Sequence, residues 1–549
     1  MRLFLGEKVH YLPGARRVAG LLLFGSLAGC GGGGGGDDVA PVQISTNAIT
    51  FSAAGPSAEV PAAQSFTATF GDDVVQLSVI HSGDAIASTT SVLNGRSAQI
   101  TVVPAAPTAV GPGAFVGAVA VTGYTCADTT CSRMAAGSTA TLPVSYQISP
   151  ALLSVAPYVE VAGRSDTVVI RGQGLRAFNI SGVRFGDTAA TNVNVNTAGT
   201  ELSATHPALA AGSYVIHLDS TNHTGEIPSN VALRVVDPVA FAATTLDHPS
   251  AATVVRSLSY DLERQALIVV SDAGGGSIAH YRYANGAWGA PTQVGSGFLD
   301  AALSADGTQL FAITPAHFWP IDAATLAVGT NIAAPSLATN SFLKNIVVGY
   351  DNRSLITTSL TTSGSTQGYI YDPPTGILGL NGTALNNATP TMSASGAGAI
   401  LSQGDSTLTS DVPVYLYATA ANALSASTVS LRQNAVPPAV NRSITRIVLN
   451  GTKVYDGNFA LLGTLPDTTA GVVLKSDGSR AYAYDTAAGG ILVYDVSVDR
   501  DEAAYTALGA VTPLAADPGP GLRMAITPDN GTLFVAGGTR IVVQPTPAL

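Results

Sequence analysis

Residues able to do chemistry are few in this chain. Its 549 residues include 3 Cys, 8 His and only 11% charged residues, against about 25% in ordinary soluble domains. No GxSxG, HExxH, P-loop or strand-borne GxGxxG occurs, so no nucleophile elbow, zinc helix or phosphate cradle is encoded. Gly111, Gly113 and Gly117 sit beside prolines at the wrong spacing for a dinucleotide turn and predict a loop. The histidines are scattered. His217 and His223 lack a zinc spacing, and His280 and His317 fall in separate repeats. Two cysteines, Cys126 and Cys131, enclose four residues. That spacing does not match a CxxC redox or metal motif and predicts a small disulfide loop in an oxidising compartment. No catalytic residue, metal site or cofactor is predicted.

The third cysteine has a different setting. Arg16 and Arg17 precede an apolar run from Val18 to Ala28, which ends in Leu27-Ala28-Gly29-Cys30. A basic start, a short apolar core and small residues describe a secretory leader, and the run is too short to span a bilayer. The four residues ending at Cys30 resemble a bacterial lipobox. The resemblance implies cleavage after residue 29, acylation of Cys30 and a partner in the lipid bilayer. Gly31 follows, where lipoproteins kept at the inner membrane often carry Asp, so the expected location is the outer membrane, on either face. Residues 30–40 are then a lipidated cysteine and glycine-rich tether, of which Gly31 to Asp38 reach at most about 27 Å. Removing residues 1–29 takes the formal charge from −11 to −14. With no basic cluster to offset it, nucleic acid is not an expected partner.

The remainder reads as all-β. Short period-two segments separated by Gly, Pro, Asn and Asp recur, and no long segment carries a 3.6-residue apolar period. Residues 41–149 resemble the immunoglobulin-like repeats of bacterial surface lipoproteins, through strands such as Ala48 to Ser52, Ser65 to Thr69, Gln76 to Ile80 and Ala98 to Val102. Residues 150–237 contain Val155-Ala156-Pro157, Thr167 to Leu175 with Gly172 and Gly174, Val183-Arg184-Phe185-Gly186, and Gly212 to Ile216. That order resembles an IPT/TIG domain, which implies an immunoglobulin-like spacer or binding module. The basic loops that DNA-binding relatives use are missing.

Residues 238–549 repeat. Tight turns begin at Asp261, Asp306, Asp351, Ser395, Ser443, Asp477 and Asp529, a mean interval near 45 residues. Four strands per such unit make a propeller blade, with Asp-Gly or Asn-Gly supplying left-handed residues in the turns. Seven turns predict seven blades. Only three strands fit after Arg523, so the missing outer strand is expected within Val239 to Leu246. The repeats resemble seven-bladed YVTN and lactonase-type propellers. The predicted fold class is therefore two immunoglobulin-like β-sandwiches followed by a seven-bladed β-propeller.

Counting back from the turns places Arg256, Asp300, Lys344, Asn345 and Arg523 where the innermost strands begin, at the mouth of the channel. They could contact a small anion or an extended peptide, or simply keep the rim wet. The expected function is non-enzymatic binding or scaffolding through the propeller, towards an envelope protein, peptide or glycan. The alternatives are a metal-dependent lactonase-like hydrolase and an outer-membrane protein assembly factor. Trp288 and Trp319 are expected in blade packing, with sugar stacking as the other use of such rings.

Overall fold

The computed structural model describes residues 41–548 except 131–133, 222–226, 228, 363, 405–409 and 433–435. Cys30 and Cys131 fall outside this set, so the expected lipidation and disulfide lie outside the described residues. Cys126 ends the strand Gly113–Cys126. Among the described residues helix is confined to one turn, Pro107–Val110, and one 3-10 turn, Ala273–Gly275. No helix there is long and apolar enough to cross a membrane.

Two four-stranded sheets form the first module. Ile49–Ala53 lies parallel to the C-terminal part of Met134–Ile148, and that strand pairs antiparallel with Gly113–Cys126. Ile49–Ala53 alternates buried and exposed along its length, so Phe51 faces inward against Tyr146, with ring centroids 6.0 Å apart. Phe66 and Ile100 from the opposite sheet share that core. The second module repeats the plan with two sheets around Ile170, Phe185, Leu202 and Ile216.

Strands from Val255 to Pro545 make seven sheets among the described residues. Their innermost strands are Val255–Asp261, Asp300–Leu303, Ser341–Val348, Thr389–Met392, Ala439–Val440, Thr469–Leu474 and Arg523–Ile526, blades 1 to 7. Each touches the next, and the last returns to the first. The seventh sheet is completed by Thr244–Leu246, antiparallel to Ile541–Pro545 with Thr244 opposite Val543. The outer strand thus comes from within the segment expected, and hydrogen bonding between the two ends of the propeller closes the ring.

An aromatic plug fixes that closure. Phe241, 3% exposed, lies 4.7 Å from Tyr283, 5.0 Å from Trp288 and 5.9 Å from Phe534, centroid to centroid. Trp288 is therefore packed in the seam between blades 7 and 1. Trp319 lies 6.3 Å from Phe298 and donates its indole N–H to Thr314 Oγ1.

The repeat turns correct one expectation. Only one residue per turn is left-handed: Gly307 at φ 69°, Gly478 at 75° and Asn530 at 61°, not both members of the pair. The preceding Asp instead accepts hydrogen bonds through its side chain. Asp306 Oδ1 takes the Thr308 amide at 3.0 Å and the Ser304 hydroxyl at 2.7 Å, and Asp477 Oδ1 takes the Ser479 amide at 2.9 Å. Ser304 bonds to Gln309, Lys475 to Arg480 and Thr527 to Thr532, so each loop holds four residues, one of them left-handed. In blade 5 the position belongs to Ile444 at φ 58°, a conformation costly for a β-branched residue.

The second module packs on the face formed by these turns. Tyr158 covers Gly307, where an added Cβ would fall 1.9 Å from its ring. Arg164 donates to the Pro528 carbonyl at 2.6 Å. The Tyr350 hydroxyl donates to Glu201 at 2.9 Å, and Arg234 pairs with Glu263 at 3.2 Å. Arg442 grips Glu160 through two guanidinium nitrogens, and Glu160 is 2% exposed.

Phe241→Ala is expected to cost about 3–5 kcal/mol, read as a lowered urea midpoint, because the ring's neighbours come from both sides of the closing seam. Arg442→Ala is expected to cost a similar amount, about 3–5 kcal/mol, by leaving the Glu160 carboxylate buried without its cation. Urea unfolding of the two variants beside the wild type checks both.

Candidate functional site: the propeller channel and its mouth

The innermost strands enclose a cavity of about 440 Å³. Arg256, Asp300, Asn345 and Arg523 all line it, whereas Lys344 does not. The reason lies in the strand registers. In blade 3 the pairing shifts between Leu343 and Asn345, so Lys344 is the extra residue of a bulge. Its amine turns to blade 4, donating to the Asn387 carbonyl at 3.0 Å and Thr389 Oγ1 at 3.1 Å. Lys344 ties blades together outside the channel wall. A bulge in blade 1 between Val255 and Ser257 has the other outcome, for its extra residue, Arg256, lines the cavity.

Asp300 is 5% exposed, and its oxygens are occupied. Oδ1 accepts from the Ala301 amide at 2.8 Å. Oδ2 accepts from Asn345 Nδ2 at 3.0 Å and the Ile346 amide at 2.9 Å. The Ser257 hydroxyl donates as well. Burial nonetheless pushes the carboxyl above its ordinary value of 3.8, outweighing those donors. Asp300 thus laces blades 1, 2 and 3 at the axis.

The two arginines differ. Arg523 donates Nε to the Arg256 carbonyl at 3.0 Å and Nη1 to the Leu522 carbonyl at 2.9 Å. Burial lowers its pKa, and the Asp300 charge works in the opposite direction. Among the described residues none accepts a hydrogen bond from the Arg256 guanidinium. Asn345 donates to Asp300, but its Oδ1, buried in the channel wall, has no partner. The remaining wall is largely aliphatic, with Leu258, Val347 and Val472 among its members.

A second concavity, about 630 Å³, opens beside the mouth between blades 6 and 7. Asp467, Thr468 and Thr469 form one side, Tyr484 and Thr486 another, and Asp517 with Gly519 to Arg523 the third. Arg523 belongs to both spaces. The sequence offers one local signal for this groove, the turn-forming run Asp517-Pro518-Gly519-Pro520-Gly521. Its other walls combine Thr469 and Ala470 at the start of the blade 6 innermost strand and Tyr484 on its second strand with loop residues 467, 468 and 486.

Among the described residues no three His, Cys, Asp or Glu side chains gather as a metal-binding group. His280 is held below its ordinary value by burial.

No protein-family model and no curated protein matches the chain. Similar solved structures include an auxiliary nutrient binding protein from Bacteroides ovatus (12% identity, 73% of this chain, 98% of that one, TM-score 0.35). A gluconolactonase from Xanthomonas campestris (14%, 56%, 90%, 0.36) and the WD40 domain of Neurospora crassa Pan2 (10%, 54%, 90%, 0.37) are others. At these scores they say nothing about activity, and the propeller stands on its own seven sheets.

The Asp300 shift predicts a pH dependence. A carboxyl raised in the fold holds its proton more tightly folded than unfolded, so the folded chain carries more protons over that interval. Its stabilising contribution is complete below 3.8 and declines as pH rises through the folded value. The unfolding free energy of wild type minus that of Asp300→Asn is therefore expected to fall as pH rises above 3.8. Urea titrations across a pH series measure the slope; a flat difference would contradict it.

Proposed function

We propose that this is a lipid-anchored protein of the outer membrane that binds or scaffolds a partner through its propeller, without catalysis. Residues 1–29 are its lipoprotein leader, and Cys30 its acylated residue on a glycine tether. Residues 41–149 and 150–237 serve as immunoglobulin-like modules, the second of IPT/TIG type, and 238–549 as the binding propeller. The packed contact of Tyr158, Glu160 and Glu201 with the turn face supports this arrangement. It leaves the strand-start mouth on the side away from the module that leads back to the anchor.

One observation carries the binding reading. The carboxylate lining the channel, Asp300, has both oxygens hydrogen-bonded within the protein, while the guanidinium of Arg256 beside it is uncommitted. The channel presents cationic donors to whatever enters, where a hydrolytic metal needs several free oxygen or imidazole ligands.

The mature protein is expected to carry no stoichiometric metal by elemental analysis and to keep its melting temperature in chelator. A propeller-bound metal removed by chelator, together with turnover of a lactone, would replace this reading with the hydrolase. Cys30→Ala is expected to move the protein from the membrane pellet to the soluble fraction; unchanged membrane association would refute the anchor.

A further inference from the structure

The channel and the groove between blades 6 and 7 meet at Arg523, with Val436 and Leu522 shared between them. Their chemistries differ. At the channel end stand Arg256, uncommitted, and Arg523, with two of its nitrogens already used on carbonyls. A planar guanidinium suits a carboxylate, since two parallel N–H donors match two oxygens. The groove walls instead carry Asp467 and Asp517, both exposed, with Thr468, Thr469 and Thr486. Carboxylates and hydroxyls accept hydrogen bonds from hydroxyl groups, and two acids there repel a second negative charge.

Two buried polar atoms lack partners, one in each space. Asn345, 9% exposed, lines the channel with an unmatched Oδ1, and Thr469, 5% exposed, lines the groove with an unmatched hydroxyl. Buried polar groups without a hydrogen bond are uncommon, and a site awaiting a ligand is one reason for them. Both concavities fall in the size range of small-molecule sites.

We infer that the joined channel and groove form one site for a sugar acid: a single carboxylate held by Arg256 and Arg523, with its hydroxylated ring or chain lying in the groove. This rests on the reading of the propeller as a binding module and adds its ligand class. A free sugar acid and a neutral glycan ending in one uronic acid share this chemistry.

Calorimetric titration of the mature protein tests it with four probes: glucuronate, a neutral oligosaccharide capped by one glucuronate, glucose and acetate. Glucuronate or the capped oligosaccharide is expected to bind at least about tenfold tighter than glucose or acetate, roughly the effect of one charge-assisted contact. Tighter binding of the oligosaccharide identifies a glycan end as the source, and equal binding a free sugar acid. Arg256→Gln is expected to weaken glucuronate at least about tenfold and to leave the melting temperature alone, because among the described residues none accepts a hydrogen bond from its guanidinium. Asp517→Asn, at an exposed position, is expected to weaken glucuronate but not acetate. Equal affinity for acetate and glucuronate would remove the groove from the site. No binding of either acidic sugar, or Arg256→Gln binding like wild type, would overturn the inference. None of these results bears on metal content, so the binding-module reading and this ligand fail separately.

Discussion

The pairing of Thr244–Leu246 with Ile541–Pro545 is the constraint on which the architecture depends. Each blade is a small antiparallel sheet that cannot bury both faces alone, and the ring gives each one two neighbours. A ring left open would expose the flanks of blades 1 and 7. The seam is accordingly filled by large aromatic side chains: Phe241, Tyr260, Tyr283, Trp288 and Phe534 form one cluster there. Tyr260 and Phe534, from the innermost strand of blade 1 and the second strand of blade 7, stack at 5.4 Å. The residues that lead into the closing strand are thus held by side-chain burial as well as by the backbone ladder.

Closure creates the channel, and the channel then sets the electrostatics of what lines it. Seven innermost strands converge on one axis, so a charged residue near their beginnings meets charges from blades that are remote in sequence. Asp300 and Asn345 are brought together in this way, as are Arg523 and Arg256. Asp300 serves the scaffold by drawing donors from neighbouring blades. The arginines are only partly consumed by it. This division separates a structural carboxylate from cationic groups with capacity to spare.

The sequence disclosed the number of blades because six of the seven share one turn, in which Asp or Ser is followed by a left-handed residue, while in blade 1 Asp261 opens a longer turn with Gln265 left-handed. The location of the closing strand followed from counting, since one blade was a strand short. Side-chain direction at the strand starts was harder to read. Arg256 and Lys344 occupy equivalent bulges, yet one lines the channel and the other reaches the next blade. A bulge inserts one residue without a marker in composition, and a single extra residue reverses the facing of a side chain. The groove was only partly legible, because strand residues Thr469, Ala470 and Tyr484 are joined there by loop residues 467–468, 486, 517 and 519–522 that obey no period. The Glu160–Arg442 contact was equally hidden, since it joins residues 282 positions apart.

The second module touches turns of blades 1, 2, 3, 5 and 7 through Arg234, Tyr158, Arg171, Glu160 and Arg164. Those turns are therefore bound to fixed lengths: an inserted residue at Gly307 or near Arg442 would push against a packed neighbour rather than into water. Loops at the opposite face meet no such lid, and of these 515–521 is restrained by its part in the groove wall. Drift in loop length between descendants of this chain should accordingly concentrate on the mouth side, and a label or graft placed by an engineer belongs there too. The fold carries one face whose loop lengths are fixed by contact and one left open to variation.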